Sequence, residues 1–129
     1  MAIARIDYSN QRDASPPHDF GAIAVRVVNS VMADVLSIPM SENYVVAQPH
    51  AMQDILHNPE NVSPARLASI VFIQITLNTG RSAELKASFY DALTAALGKT
   101  LSVPPADVFI NLVEVAKENW SFGRPPKLI

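Results

Sequence analysis

The segment Leu36-Ser37-Ile38-Pro39-Met40-Ser41-Glu42 recurs 65 positions later as Leu101-Ser102-Val103-Pro104-Pro105-Ala106-Asp107, and this repeat constrains the fold more than any other feature of the chain. Each copy lies between the same neighbours. Before the first copy, Phe20, Ile23, Ala24, Val27, Val28, Val31, Met32 and Val35 recur at steps of three and four, one apolar stripe on a helix reaching about Leu36. Before the second copy, Leu85, Phe89, Leu93, Ala96 and Leu97 do the same. After each proline, which disfavours helical geometry in the residue before it, comes a short apolar run fit for a strand: Glu42 to Gln48 and Val108 to Val115.

The strands that open the two units follow from period-two alternation. Residues 2 to 8 alternate in part, and from Ser69 to Leu77 the pattern is clear, with Val71, Ile73, Ile75 and Leu77 on one face and Phe72, Gln74 and Thr76 on the other. Arg12 and Arg81 each follow a first strand 69 residues apart, so the first unit carries about four extra residues, assigned to Ala14 to Pro17. Ser15-Pro16-Pro17, with Asp19, predicts the start of the first helix, and Ser82 predicts a cap on the second. The chain is therefore expected to be one α+β domain over residues 1–129, with tandem β-α-β units at about 2–48 and 69–123 and a loop-rich connector at 49–68. A helix crossing between two strands of one sheet makes them parallel, so two units give a four-stranded sheet with both helices on one face. The other face is left rather apolar, with Phe72, Phe109 and Ala4 expected there, and wants a partner surface.

Composition narrows the chemistry. The chain has 129 residues, ten basic and twelve acidic side chains, and no cysteine. Disulfides, thiolate metal sites and cysteine nucleophiles are excluded, and nucleic acid is not expected as a partner without a clustered basic surface. The charged start gives neither a signal-peptide stretch nor a membrane span, and a cytoplasmic protein is expected. His50 and His57, with Asp54 between them, lack the tight spacing and third ligand of a zinc site, and the four glycines form no phosphate-cradling loop. No metal or cofactor is expected.

Two motifs carry more. Ile75-Thr76-Leu77-Asn78-Thr79-Gly80-Arg81-Ser82 precedes the second helix, and Glu118-Asn119-Trp120-Ser121-Phe122-Gly123 follows the last strand. Together with Met1-Ala2-Ile3-Ala4-Arg5-Ile6-Asp7 and Arg12, they resemble the tautomerase superfamily, specifically its malonate semialdehyde decarboxylase branch. That resemblance implies a homotrimer of duplicated β-α-β subunits and a pocket for a small 2-oxo or 3-oxo acid. It further implies Arg81 on the substrate carboxylate and Thr79 where some relatives carry a second arginine. Glu42 stands at or within a residue of the family's acid, and Trp120 with Phe122 forms the apolar wall.

The family's catalyst is an amino-terminal proline exposed by loss of the initiator methionine, and here Ala2 stands in its place. If Met1 is removed, Ala2 supplies a primary amine, a group that ordinarily titrates at about 7.7–8.0 and condenses with carbonyls. If Met1 stays, the nitrogen of residue 2 is an amide and that chemistry is closed. Three readings follow: a decarboxylase or tautomerase using Ala2 with Glu42, a tautomerase or hydratase in which Glu42 or another carboxylate is the base, and a non-catalytic member that binds a ligand or has a structural role.

Overall fold

The computed structural model describes residues 1–12, 19–61 and 64–123, apart from the side chains of Arg12, Pro64 and Ala65. Four strands, β1 (Ala2–Ser9), β2 (Asn43–His50), β3 (Val71–Asn78) and β4 (Val108–Val115), form one sheet in the order β2-β1-β3-β4. Two long helices, α1 (Phe20–Leu36) and α3 (Ala83–Leu101), cross between the strands of each unit, and a single turn of helix, α2 (Pro64–Leu67), lies in the connector. β1 pairs with β2 and β3 with β4 in parallel, as a helical crossover requires, while β1 and β3 meet antiparallel at the centre. The expected architecture is what the chain adopts.

One core lies between the sheet and the helices. α1 contributes Phe20, Ala24, Val28, Met32 and Leu36, and α3 contributes Phe89, Leu93, Leu97 and Leu101, a buried residue at every fourth position. The central strands answer with Ala2, Ala4, Ile6 and Tyr8 from β1 and Val71, Ile73, Ile75 and Leu77 from β3. Gly21 is needed in the first turn of α1, because a Cβ there would lie 2.9 Å from the Tyr8 hydroxyl.

The repeat is visible atom by atom. Ser37 and Ser102 both take the left-handed conformation at φ 57°, ending α1 and α3. The next residue in each case folds back, with Ile38 N–H donating to Met32 O and Val103 N–H to Leu97 O, both at 3.4 Å, and its side chain is buried. A 3-10 turn follows each proline, at Met40–Glu42 and Pro105–Asp107. The same offset continues past the strands into 3-10 turns at Met52–Asp54 and Lys117–Asn119. β2 thus runs through Pro49 to His50, and the stretch expected to be an irregular connector opens with the first unit's counterpart of the Trp120 segment. Pro49 is tolerated because β2 is an edge strand.

Two expectations need revision or lie elsewhere. Ala4 does not share the open face with Phe72 and Phe109; it is fully buried beneath the helices, since the even-numbered residues of β1 point inward. The cap at Ser15 and the four-residue insertion fall outside the described residues; Asp19 occupies the cap position of α1 without a side-chain bond. At α3 the expected cap is present, with Ser82 Oγ accepting from Leu85 N–H at 3.1 Å. Ser82→Ala is expected to lower stability by about 0.5–2 kcal/mol, read from chemical denaturation.

The open face keeps its apolar character at the edges. Tyr44, Val46, Phe72, Phe109 and Val113 are all more than a third exposed there, and the Phe72 and Phe109 rings sit 5.4 Å apart. An open groove of about 430 Å³ along this face is lined by Asp7, Phe72, Gln74, Phe109 and Asn111 among others.

Candidate functional site

The topology collects the candidate residues at one end of the sheet. β1 and β2 begin there, and β3 and β4 end there, because the two units run in opposite directions. Ala2 sits between Asn43 of β2 and Leu77 of β3 in the register. Its side chain is fully buried, and its nitrogen donates to Asn43 Oδ1 at 3.1 Å. The amino terminus on Met1 lies 3.8 Å from Glu42 Oε2, the last residue of the turn before β2, and the Met1 side chain is only 8% exposed.

Arg81 lies in the turn between β3 and α3. Its Nη1 donates to Asn78 O at 3.1 Å and its Nη2 to Leu36 O at 3.2 Å. The second bond reaches the last carbonyls of α1, the negative end of that helix, so the guanidinium joins the two units. These contacts occupy two of five donors and fix the plane of the fork. Among the described residues no carboxylate is paired with it. Thr79 is exposed, and its backbone N–H ties the end of β3 to Val115 O at 3.1 Å. Trp120 Nε1 donates to Asn78 Oδ1 at 2.6 Å, and its ring stacks on Phe122 with centroids 6.0 Å apart.

All six predicted residues therefore lie at one sheet end, and the residue that joins two of them, Arg81 and Trp120, is Asn78. Its carbonyl receives Arg81 and its side chain receives Trp120. It sits inside the motif singled out from the sequence, where its short polar side chain reads as a turn former. Asn29 and Asn43 also escape the sequence reading. Asn43 Nδ2 donates to Asn29 Oδ1 at 2.9 Å, and Asn29 Nδ2 to Met40 O at 3.3 Å. The second unit has no such pair, since the residues at the same offset are Thr94 and Val108.

The opposite end of the sheet is the internal control. Asp107, the counterpart of Glu42, is 4% exposed and accepts from Arg66 Nε at 2.8 Å, while Arg66 Nη2 donates to Ala106 O at 2.7 Å. A guanidinium thus answers the acid where the second unit has no chain start. His50, a metal ligand by residue type, has its Nε2 2.6 Å from Asp7 Oδ1 on the open face.

A duplicated β-α-β chain with a polar cluster at the amino-terminal end of its sheet defines a class, and comparison with known proteins supplies its family. The chain belongs to the tautomerase family: the family model described as tautomerase enzyme matches residues 42–123. It is similar to the probable tautomerase YusQ of Bacillus subtilis (strain 168), 26% identical over 76% of this chain and 77% of that protein. It is likewise 23% identical to the probable tautomerase YrdN of the same organism, over 95% and 92%. Among solved structures, FG41 malonate semialdehyde decarboxylase inhibited by 3-bromopropiolate is 28% identical, with a TM-score of 0.74 over 95% of this chain and 90% of that one. A fused 4-OT described as a symmetric trimer shares the fold at 17% identity, with a TM-score of 0.76 over 95% and 92%. No described helix is long and apolar enough to cross a membrane.

Proposed function

We propose that the chain binds a small 2-oxo or 3-oxo acid at this sheet end and, once Met1 is removed, catalyses its decarboxylation or keto-enol tautomerisation with the Ala2 amine. The observation that carries this reading is the convergence of residue 2, Glu42, Arg81 and the Trp120-Phe122 wall on one edge, built from both units. Arg81 offers a pre-set fork to the substrate carboxylate, and the aromatic wall lowers the local dielectric around that pair. Beside it, the amine attacks the ketone or aldehyde carbon of a 3-oxo acid, water leaves, and the resulting iminium draws the electrons of the breaking C–C bond as carbon dioxide departs. The enamine then takes a proton and water to release product and amine, while a 2-oxo acid, with its carboxylate on the iminium carbon, is open to tautomerisation alone. For tautomerisation the same amine takes a proton from carbon and returns it, with Glu42 assisting.

The experiment is turnover of 3-oxo and 2-oxo acids, by carbon dioxide release and by enol absorbance, in protein beginning at Ala2 and in protein keeping Met1. Activity confined to the first supports the amine mechanism. Equal activity in both favours Glu42 as the base. Activity in neither leaves the ligand-binding reading, which calorimetric titration with the same acids then tests.

The open sheet face supports a homotrimer as the working assembly, as the fused 4-OT is described to be. Phe109→Glu places a charge among Phe72 and Val113 and is expected to convert a trimer to monomers in sedimentation velocity. A wild-type chain that sediments as a monomer contradicts the assembly.

A further inference from the structure

We propose that Asn43, oriented by Asn29, is a positioning residue that holds the nitrogen of residue 2 and raises its affinity for a proton. This rests on the proposed use of that nitrogen as the reacting amine. An asparagine side chain can face a neighbour with either its oxygen or its NH₂, and which one it presents depends on its other bonds. Here Asn43 Nδ2 is committed to Asn29 Oδ1, and Asn29 Nδ2 to Met40 O, so Asn43 Oδ1 is the atom turned to Ala2 N. The relay ends on a fixed main-chain carbonyl, which leaves it one polarity.

Residue 2 keeps its place with or without Met1, because β1 is paired from Ala2 onward with β2 on one side and β3 on the other. An ammonium there donates to Asn43 Oδ1, and a bond to the charged form favours it. The second unit supports the assignment. At the equivalent offset stand Thr94 and Val108, which cannot form this amide pair, and that unit has no chain start to hold. The charged groups brought to this end are Glu42, from the turn before β2, Arg81, from the turn after β3, Glu114 at the end of β4, which is paired with Lys86 of α3 at 2.6 Å, and Lys117 and Glu118 in the turn after β4; the flanking Leu77, Asn78 and Asn29 carry none. Glu42 favours the charged amine and Arg81 disfavours it, and the oriented amide adds a direct bond to the charged form.

The test uses protein made as a cleavable ubiquitin fusion, so that Ala2 is the first residue, with alanine labelled at its methyl carbon. The Ala2 methyl shift is followed against pH by NMR without substrate, and kcat and KM against pH in parallel. Asn43→Asp is expected to raise the amine midpoint by about 1–3 pH units, through an opposite charge in contact. Asn43→Leu is expected to lower it, and Asn29→Ser, which frees the Asn43 amide to rotate, to lower it less. The alkaline shift of Asn43→Asp should reappear in kcat with little change in KM. A midpoint that stays within about 0.2 units in folded Asn43→Asp and Asn29→Ser, far less than a contacting charge produces, overturns the proposal. Turnover with unmoved midpoints leaves the catalytic reading standing and sinks this one, whereas moved midpoints without turnover do the reverse.

Discussion

In protein that begins at Ala2, the Ala2→Pro variant is expected to turn over a 3-oxo acid about a hundredfold faster than its parent, a gain within the reach of a positioned acid-base group. A proline nitrogen is a secondary amine closed into the pyrrolidine ring, so the reacting lone pair loses its rotational freedom about the N–Cα bond. Once protonated it still has two hydrogens, one for Asn43 Oδ1 and one for the substrate. Positioned acid-base groups contribute about 10²–10⁴ to rate, and the gain is a fraction of that range because the alanine amine already supplies part of it. The same substitution behind a retained Met1 brings no such gain. There the proline nitrogen is a tertiary amide, cannot donate to Asn43, and the variant is expected to be inactive and less stable. Steady-state rates on the two preparations separate these cases. Equal rates for Ala2→Pro and parent without Met1 would mean that the nitrogen of residue 2 takes no part.

Arg81→Ala is expected to lower kcat/KM by about 10²–10⁴ for every oxo acid that the chain accepts, because hydrogen bonds to charged groups are worth about 1.5–3 kcal/mol each and a bidentate carboxylate loses two of them. The loss is also structural, because the same guanidinium holds Asn78 O and Leu36 O together. Arg81→Lys distinguishes the two roles. Lysine keeps the charge without the planar fork, so thermal stability should recover further than kcat/KM does. Unchanged turnover in Arg81→Ala removes Arg81 from the site.

Much of the fold is legible in the amino-acid sequence. Both long helices and all four strands follow from the spacing of apolar residues, and β3 alternates so cleanly that its buried face is named residue by residue. The recurrence of Leu-Ser-Ile/Val-Pro specifies a shared ending for both helices, and Ser37 and Ser102 do share one backbone conformation. Gathering Ala2, Glu42, Arg81 and Trp120 at one edge needs the antiparallel β1-β3 pairing, which local patterns do not encode. Ala4 is misplaced by sequence alone because a small residue reads equally well on either side of a strand. The turn at Met52–Asp54 is hidden because its outer residues are Ile55 and His57, where the second unit has Trp120 and Phe122, and so the repeat is lost in side chains while kept in the backbone. The Asn29-Asn43 pair is invisible for another reason: two amides 14 residues apart meet only once α1 lies against β2.

Reductive trapping asks whether an oxo acid meets the terminal amine with its carboxylate on Arg81. Protein beginning at Ala2 is mixed with 3-oxopropanoate, reduced with borohydride and mapped by peptide mass spectrometry, with Arg81→Ala alongside. One adduct is expected, on the peptide that starts at Ala2, and it is expected to be lost in Arg81→Ala. Adducts spread over Lys86, Lys99 and Lys117 with the Ala2 peptide unmodified, or equal labelling in both proteins, would contradict it.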